Sequence, residues 1–203
     1  MRPLRQRHSL LAALLLLSAC ASPPRLQPTA TSQPWQASMA WLQNCPSWHL
    51  EGKMGVRLEQ QAGSLYVDWQ DDGQHWDLQA SGPLGQGAVH LYGDAGAAVL
   101  DRGREGRSQA DSPEDLLAQQ LRLRAPISAL RLWLRGRPEH LPAQARLDRE
   151  GRLQELDDGV YRIEYQHDPQ DARHLPRRIH VQGPQLNMTL VIHRWTLPAN
   201  CSS

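Results

Sequence analysis

The sequence predicts a mainly β protein: one strongly curved antiparallel sheet of about ten or eleven strands, a barrel or half-barrel, with short helices against its opening. Three observations carry this. Apolar and polar residues alternate with period two over most of the chain between Trp48 and Trp195. Two stretches, around 111–122 and 126–134, exchange that period for a helical one. The strands share one apolar side, and a flat sheet would leave too much of it in water.

The chain starts with Arg2, Arg5 and Arg7, followed by the apolar run from Leu11 to Leu17 and then Ser18-Ala19-Cys20. The run is far shorter than the ~20 residues of a membrane-spanning helix, so residues 1–19 read as a cleaved export signal. Leu17-Ser18-Ala19-Cys20 resembles the bacterial lipoprotein signal, which implies that Cys20 is the lipidation site; an ordinary secretory signal with an incidental cysteine is the alternative. Several acyl chains give lasting attachment where one binds only marginally. Ala21 follows the cysteine where an inner-membrane retention signal would place Asp, which favours the outer membrane.

Loss of the three signal arginines takes the formal charge from +1 to −2, so no basic footprint for nucleic acid survives. Lys53 is the only lysine and Phe is absent, a compositional skew without functional weight. Residues 20–34, rich in Pro, Ser, Thr and Ala, read as the lipidated N-terminus and a flexible tether. The domain is expected over 35–198 and a polar tail over 199–203; about 165 residues suffice for one core, and a monomer is expected.

Trp35, Met39 and Leu42 share one face of a short amphipathic helix. The first long strand follows, with Trp48, Leu50, Met54, Val56 and Leu58 on one face and His49, Glu51, Lys53, Arg57 and Glu59 on the other. Leu65, Val67 and Trp69 pair across the Asp71-Asp72-Gly73 turn with Trp76, Leu78 and Ala80. Val89 with Leu91, and then Ala97 to Asp101, continue the meander.

Ser112, Pro113, Glu114 and Asp115 form a helix-start signal, and Leu116, Leu117 and Leu121 follow it. Pro126 opens a second helix with an apolar stripe of Ile127, Leu130, Trp133 and Leu134, stopped by Gly136 and Pro138. Alternation resumes over 145–148, 153–157, 161–165, 177–181 and 185–195. In the last strand Leu186, Met188, Leu190 and Ile192 face one way and Asn187, Thr189 and His193 the other, with Val191 the exception.

No catalytic or metal constellation emerges from the nine histidines and many acids: there is no GxSxG, HExxH or SxxK and no phosphate-cradling glycine loop. The stretch from His167 to His174 reads as a polar loop, and the Asn187-Met188-Thr189 sequon as a coincidence within a strand. Neither cofactor nor metal is expected. Cys45 and Cys201 can pair in an oxidising compartment if the chain ends meet; a bridge and two free thiols both remain open. Ser81-Gly82-Pro83-Leu84-Gly85-Gln86-Gly87 places a single leucine at a turn tip. Leu84 either dips into a membrane or partner, worth about 1.5–3 kcal/mol when fully buried, or folds back over the sheet rim. The seven tryptophans are core residues unless the curved face encloses a cavity.

Leu50-Glu51-Gly52-Lys53, Trp69-Gln70, Ser81 to Gly85, Pro126 to Leu130, Trp133, Gly136, Pro138, Tyr161 to Tyr165, Leu175-Pro176 and a last strand ending at Trp195 together resemble the LolB family over essentially the whole mature domain. The resemblance implies an unclosed antiparallel barrel with helices plugging one opening. It implies an outer-membrane receptor on the periplasmic face, held by a lipid anchor, that takes lipoproteins from a soluble periplasmic carrier similar to LolA and inserts them into the outer membrane. With it come an acyl-chain cavity, here expected at Val56, Leu65, Val67, Trp69, Trp76, Leu78, Leu130, Trp133, Leu186, Met188, Leu190 and Ile192, and a membrane-insertion loop at Pro83, Leu84 and Gly85. The two cysteines and the tail after Trp195 depart from the family pattern. A lipid-anchored, lipocalin-like binder of a small apolar ligand, or a structural lipoprotein, is the alternative; a hydrolase would need a nucleophile the sequence does not offer.

Overall fold

Twelve antiparallel strands form one sheet whose order, β1-β8-β9-β10-β11-β12-β2-β3-β4-β5-β6-β7, has two free edges, so the barrel is unclosed. The structure, a computed structural model, describes residues 27–28, 44–58, 62–139, 143–171, 175–184 and 186–201. The export signal, Cys20 and the amphipathic helix of Trp35 to Leu42 lie outside the described residues.

The strands are β1 (Gln27–Pro28), β2 (Trp48–Leu58), β3 (Ala62–Asp71), β4 (Trp76–Ser81), β5 (Val89–Gly93), β6 (Ala98–Asp101), β7 (Arg107–Ala110), β8 (Gln144–Leu147), β9 (Leu153–Asp157), β10 (Arg162–His167), β11 (Pro176–Gly183) and β12 (Leu186–Thr196). The eleven strands from β2 onward agree with the count the alternation predicts. Gln27–Pro28, inside the segment read as a tether, pairs with Ala145 and Gln144. Strand β7 has no sequence-predicted counterpart; its Arg-Ser-Gln-Ala sequence carries no apolar face, as suits a short edge strand.

Register makes the inner face continuous. Leu50 pairs with Trp69, which pairs with Leu78, which pairs with Leu91 and then Leu100. On the other flank Met54 pairs with Leu190, and Leu190 with Ile179. A bulge between Ile192 and Arg194 reverses the parity of β12. Odd-numbered Trp195 thereby packs edge-on to inward-facing Trp48, their ring centroids 5.8 Å apart. Opposite the bulge, β2 approaches the Val191 carbonyl so closely at Gly52 that a β-carbon would clash.

Two helices join β7 to β8: α1 (Pro113–Leu121) and α2 (Ile127–Trp133). Ser112 caps α1 by accepting from the Asp115 N–H, and Pro113 occupies the first turn, where its missing N–H costs nothing. Glu114 then reaches over to accept from the Ser128 N–H at 2.7 Å, which binds the start of α2 to α1. Leu116, Leu117 and Leu121 of α1 and Ile127, Leu130 and Trp133 of α2 join one hydrophobic cluster with the strands. Cys45 and Cys201, 156 residues apart, are joined by a disulfide; Cys201, in the segment expected as a polar tail, is buried. One core and one bridge tie together the described residues from Cys45 to Cys201.

The register also defines two ends of the strands. The loop 82–88 and the turns 102–106 and 158–161 lie at one, here the loop end. The disulfide and the turns 72–75 and 94–97 lie at the other, the disulfide end.

Candidate functional site

The concave side of the sheet grades from sealed to accessible along its strands. Along β2 the inward residues Trp48, Leu50 and Met54 are buried, and Val56, nearest the loop end, is only partly so. Along β3, Trp69 and Val67 are buried and Leu65 partly; along β5, Leu91 is buried and Val89 partly. The apolar interior therefore reaches solvent towards the loop end between β2 and β5. On the far flank Leu186, Met188, Leu190 and Ile192 remain buried throughout.

Helices fill this interior with Leu116, Leu117, Ile127, Leu130, Trp133 and Leu134. The Tyr165 hydroxyl donates to the Trp133 carbonyl at 2.9 Å, and burial pushes its pKa well above the usual tyrosine value. The Tyr161 ring lies 4.9 Å from that of Trp133, in space that Gly183 leaves open by having no side chain. The indole N–H groups of Trp69 and Trp133 are buried without an acceptor among the described residues.

At the loop end, Gly82-Pro83-Leu84-Gly85-Gln86 folds on itself: the Gly82 N–H donates to the Gln86 carbonyl at 2.8 Å and the Gly85 N–H to the Gly82 carbonyl at 3.0 Å. That closure projects Leu84, which is 96% exposed and has φ of 62°. A leucine at positive φ costs about 1–3 kcal/mol, and leaving it in water adds to that.

All twelve residues expected to line the cavity belong to one cluster: ten are buried in it, and Val56 and Leu65 pack against it partly exposed. Two clefts border this cluster at its margins, Trp76 lining one and Val67 the other. One, of about 790 Å³, is at the disulfide end between Trp48, Trp76, Asp71, Asp72, Asp94 and Leu197. The other, of about 740 Å³, is on the outer face between Tyr66, Gly85, Ala88, His90 and Gly103. Backbone N–H donors hold two carboxyls of the disulfide end below the usual carboxylate range, Asp72 through His75 and Gln74, and Asp94 through Gly96 and Ala97. The alternation of 161–165 offered Tyr165, and the helical stripe Leu134, as further interior residues that the expected lining omits. Among the described residues no cluster of His, Cys, Asp or Glu could hold a metal.

An open antiparallel half-barrel, lined by apolar side chains, plugged by two helices and bearing one projecting leucine, defines a class of shell-like apolar-interior domains. A DUF1329 family protein from Desulfovibrio piger shares this fold, with a TM-score of 0.54 and 8% identity over 85% of this chain and 94% of that one. The sequence profile described as "Outer membrane lipoprotein LolB" matches residues 46–195. Proteins named "Outer-membrane lipoprotein LolB" from Pseudomonas paraeruginosa and Pseudomonas aeruginosa are each 38% identical over 189 residues, 91% of this chain and 92% of theirs. One from Pseudomonas putida is 35% identical over 195 residues, 93% and 95% of the two chains. The chain belongs to the LolB family.

Proposed function

We propose that this chain is the outer-membrane receptor of lipoprotein localisation: anchored by lipid on Cys20 and facing the periplasm, it accepts lipoproteins from a soluble carrier and inserts them into the outer membrane. Family membership supports the role, and the structure supports a mechanism. The observation that carries it is the burial gradient: the apolar interior loosens towards the end that bears Leu84.

A lipoprotein acyl chain of about fifteen carbons costs on the order of 10 kcal/mol to leave in water at about 0.8 kcal/mol per methylene, so it must travel sheltered. Val56 and Leu65 form the apolar entry. Val67, Trp69, Trp76, Leu78, Leu130, Trp133, Leu186, Met188, Leu190 and Ile192 surround the space that α1 and α2 fill in the absence of a guest. The chain slides between helices and sheet, and its carbonyl gives the buried indole N–H of Trp69 or Trp133 an acceptor. A site that must first displace its own side chains holds the guest less tightly than a bilayer does, which is the condition for release. Pro83, Leu84 and Gly85 then contact the bilayer, so the guest leaves at the end where it entered. The chain carries no nucleotide-binding motif, and the affinity gradient from carrier to receptor to membrane drives transfer.

The test is replacement of the resident LolB in a Gram-negative strain depleted of it. Outer-membrane lipoproteins should return to the outer-membrane fraction. Their continued accumulation elsewhere, with the introduced chain folded and anchored, would contradict the proposal.

A further inference from the structure

Three large apolar side chains are exposed among the described residues, Tyr66 at 51%, Leu84 at 96% and Val160 at 54%; Leu84 and Val160 lie in loop-end turns, and Tyr66 lies midway along β3. Leu84 caps the β4–β5 loop and Val160 the β9–β10 turn, and Tyr66 pairs with Ser81 at the root of the Leu84 loop. Charge sorts the same way. The Lys53 ammonium lies 5.6 Å from the centre of the Tyr66 ring, and Arg104 is exposed on the neighbouring β6–β7 turn with no carboxylate partner among the described residues. The carboxylates around them are paired: Asp101 with Arg107 at 2.6 Å, Glu105 with Arg102 at 3.1 Å, Glu51 with Arg194 at 2.9 Å and Asp68 with His49 at 2.9 Å. At the disulfide end, by contrast, Asp72 and Asp94 are held mainly by backbone N–H groups and keep their charge.

We infer that the loop end is a composite bilayer-docking surface in which Lys53, Tyr66 and Arg104 contact lipid phosphate head groups around the inserted Leu84. Tyrosine is the side chain suited to this depth, its ring apolar and its hydroxyl wet, and an ammonium or guanidinium beside it pairs with phosphate. The outer-face groove of about 740 Å³ between the two turns is lined by Glu51, Asp68 and Asp101 beside Tyr66 and Arg102, so the phosphate contacts are made at its rim by Lys53 and Arg104 and not inside it. Val160, on a different turn of the same end, supplies a second apolar contact, so the domain meets the membrane with a rim instead of a point. A rim fixes orientation: it holds the Val56 and Leu65 entry against the bilayer and leaves the disulfide end facing the periplasm. This rests on the reading of Leu84 as a membrane contact.

Vesicle sedimentation tests it, using the chain from residue 21 onward made without lipid, and unilamellar vesicles of phosphatidylethanolamine with phosphatidylglycerol. A basic residue at an anionic surface contributes about 1 kcal/mol, so Lys53→Gln and Arg104→Gln should each weaken binding about five-fold. Tyr66→Ser should weaken it several-fold. Arg149→Gln removes an equal charge from an exposed position on the β8–β9 turn at the disulfide end and should bind like the parent. On phosphatidylcholine vesicles, whose head groups carry phosphate without net charge, the two charge variants should fall short of the parent by less. Thermal melts unchanged by these surface substitutions establish that the variants are folded. Parent-like binding by the Lys53, Tyr66 and Arg104 variants, with Leu84→Glu impaired, would overturn the rim and leave the loop. Parent-like binding by Leu84→Glu as well would overturn both. A loss in Arg149→Gln equal to that in Lys53→Gln would reduce the effect to net charge and overturn the rim.

Discussion

The Arg131 guanidinium on α2 donates to the Asp71 carboxylate at the end of β3 over 2.7 Å, joining residues 60 apart in sequence. The Asp71 side chain is 5% exposed and that of Arg131 23%, and the guanidinium also lies 5.7 Å from the centre of the Trp76 ring. Arg135, one turn on, donates to the Cys45 carbonyl at 3.0 Å. The C-terminal end of the second helix is thus fastened to the disulfide end.

Removing one member of the pair leaves the other without its partner. Asp71→Ala should lower the unfolding free energy by about 1–3 kcal/mol, discounted for the partial exposure of Arg131. Urea denaturation of the two single variants and the double variant would measure the coupling, and additive losses would show that the contact contributes nothing beyond its parts.

The disulfide closes nearly the whole domain. Cys201→Ser should destabilise it by about 2–4 kcal/mol, chiefly by freeing the unfolded chain. Reduction should also change the mobility of the parent on a denaturing gel; an unchanged mobility would mean the thiols are not joined.

Leu84 contributes nothing to the core, so Leu84→Glu should melt at the parental temperature and still take up cargo, while insertion into the membrane fails. Normal delivery by that variant would remove the loop from the mechanism.

Entry and interior should respond differently. Leu65, partly exposed at the mouth, tolerates a charge whose hydration an acyl chain would have to strip, so Leu65→Glu should weaken uptake of a fluorescent fatty acid about ten-fold with the fold intact. Fully buried Leu190 between Met54 and Ile179 is different: Leu190→Ala should cost about 2–5 kcal/mol of stability. Parental uptake by Leu65→Glu would place the entry elsewhere.

Most of this architecture is legible in the chain because half-buried strands announce themselves by alternation. Leu186 to Ile192 face inward as their spacing requires, and Ser112 and Pro113 start α1 where a capping side chain and a first-turn proline should. The failures have physical causes. Strand β7 carries no large apolar residue, so nothing in Arg107 to Ala110 marks it. Trp195 faces inward only because the bulge after Ile192 reverses parity, and a bulge leaves no trace in a pattern of hydrophobicity. Arg131 looks like a solvated helix residue until Asp71 arrives from a distant strand. The inner-face residues were readable as a group, but the gradient that opens one end depends on where the neighbouring strands stop, which no single strand encodes.

The most direct measurement of whether this shell shelters acyl chains in transit is a handover: the chain from residue 21 onward, made without lipid, is mixed with a periplasmic carrier loaded with lipoprotein, and the partners are separated. Cargo should be recovered with the receptor, and the Leu65→Glu variant should recover far less. Cargo that stays wholly on the carrier, with the receptor folded and in excess, would contradict the account.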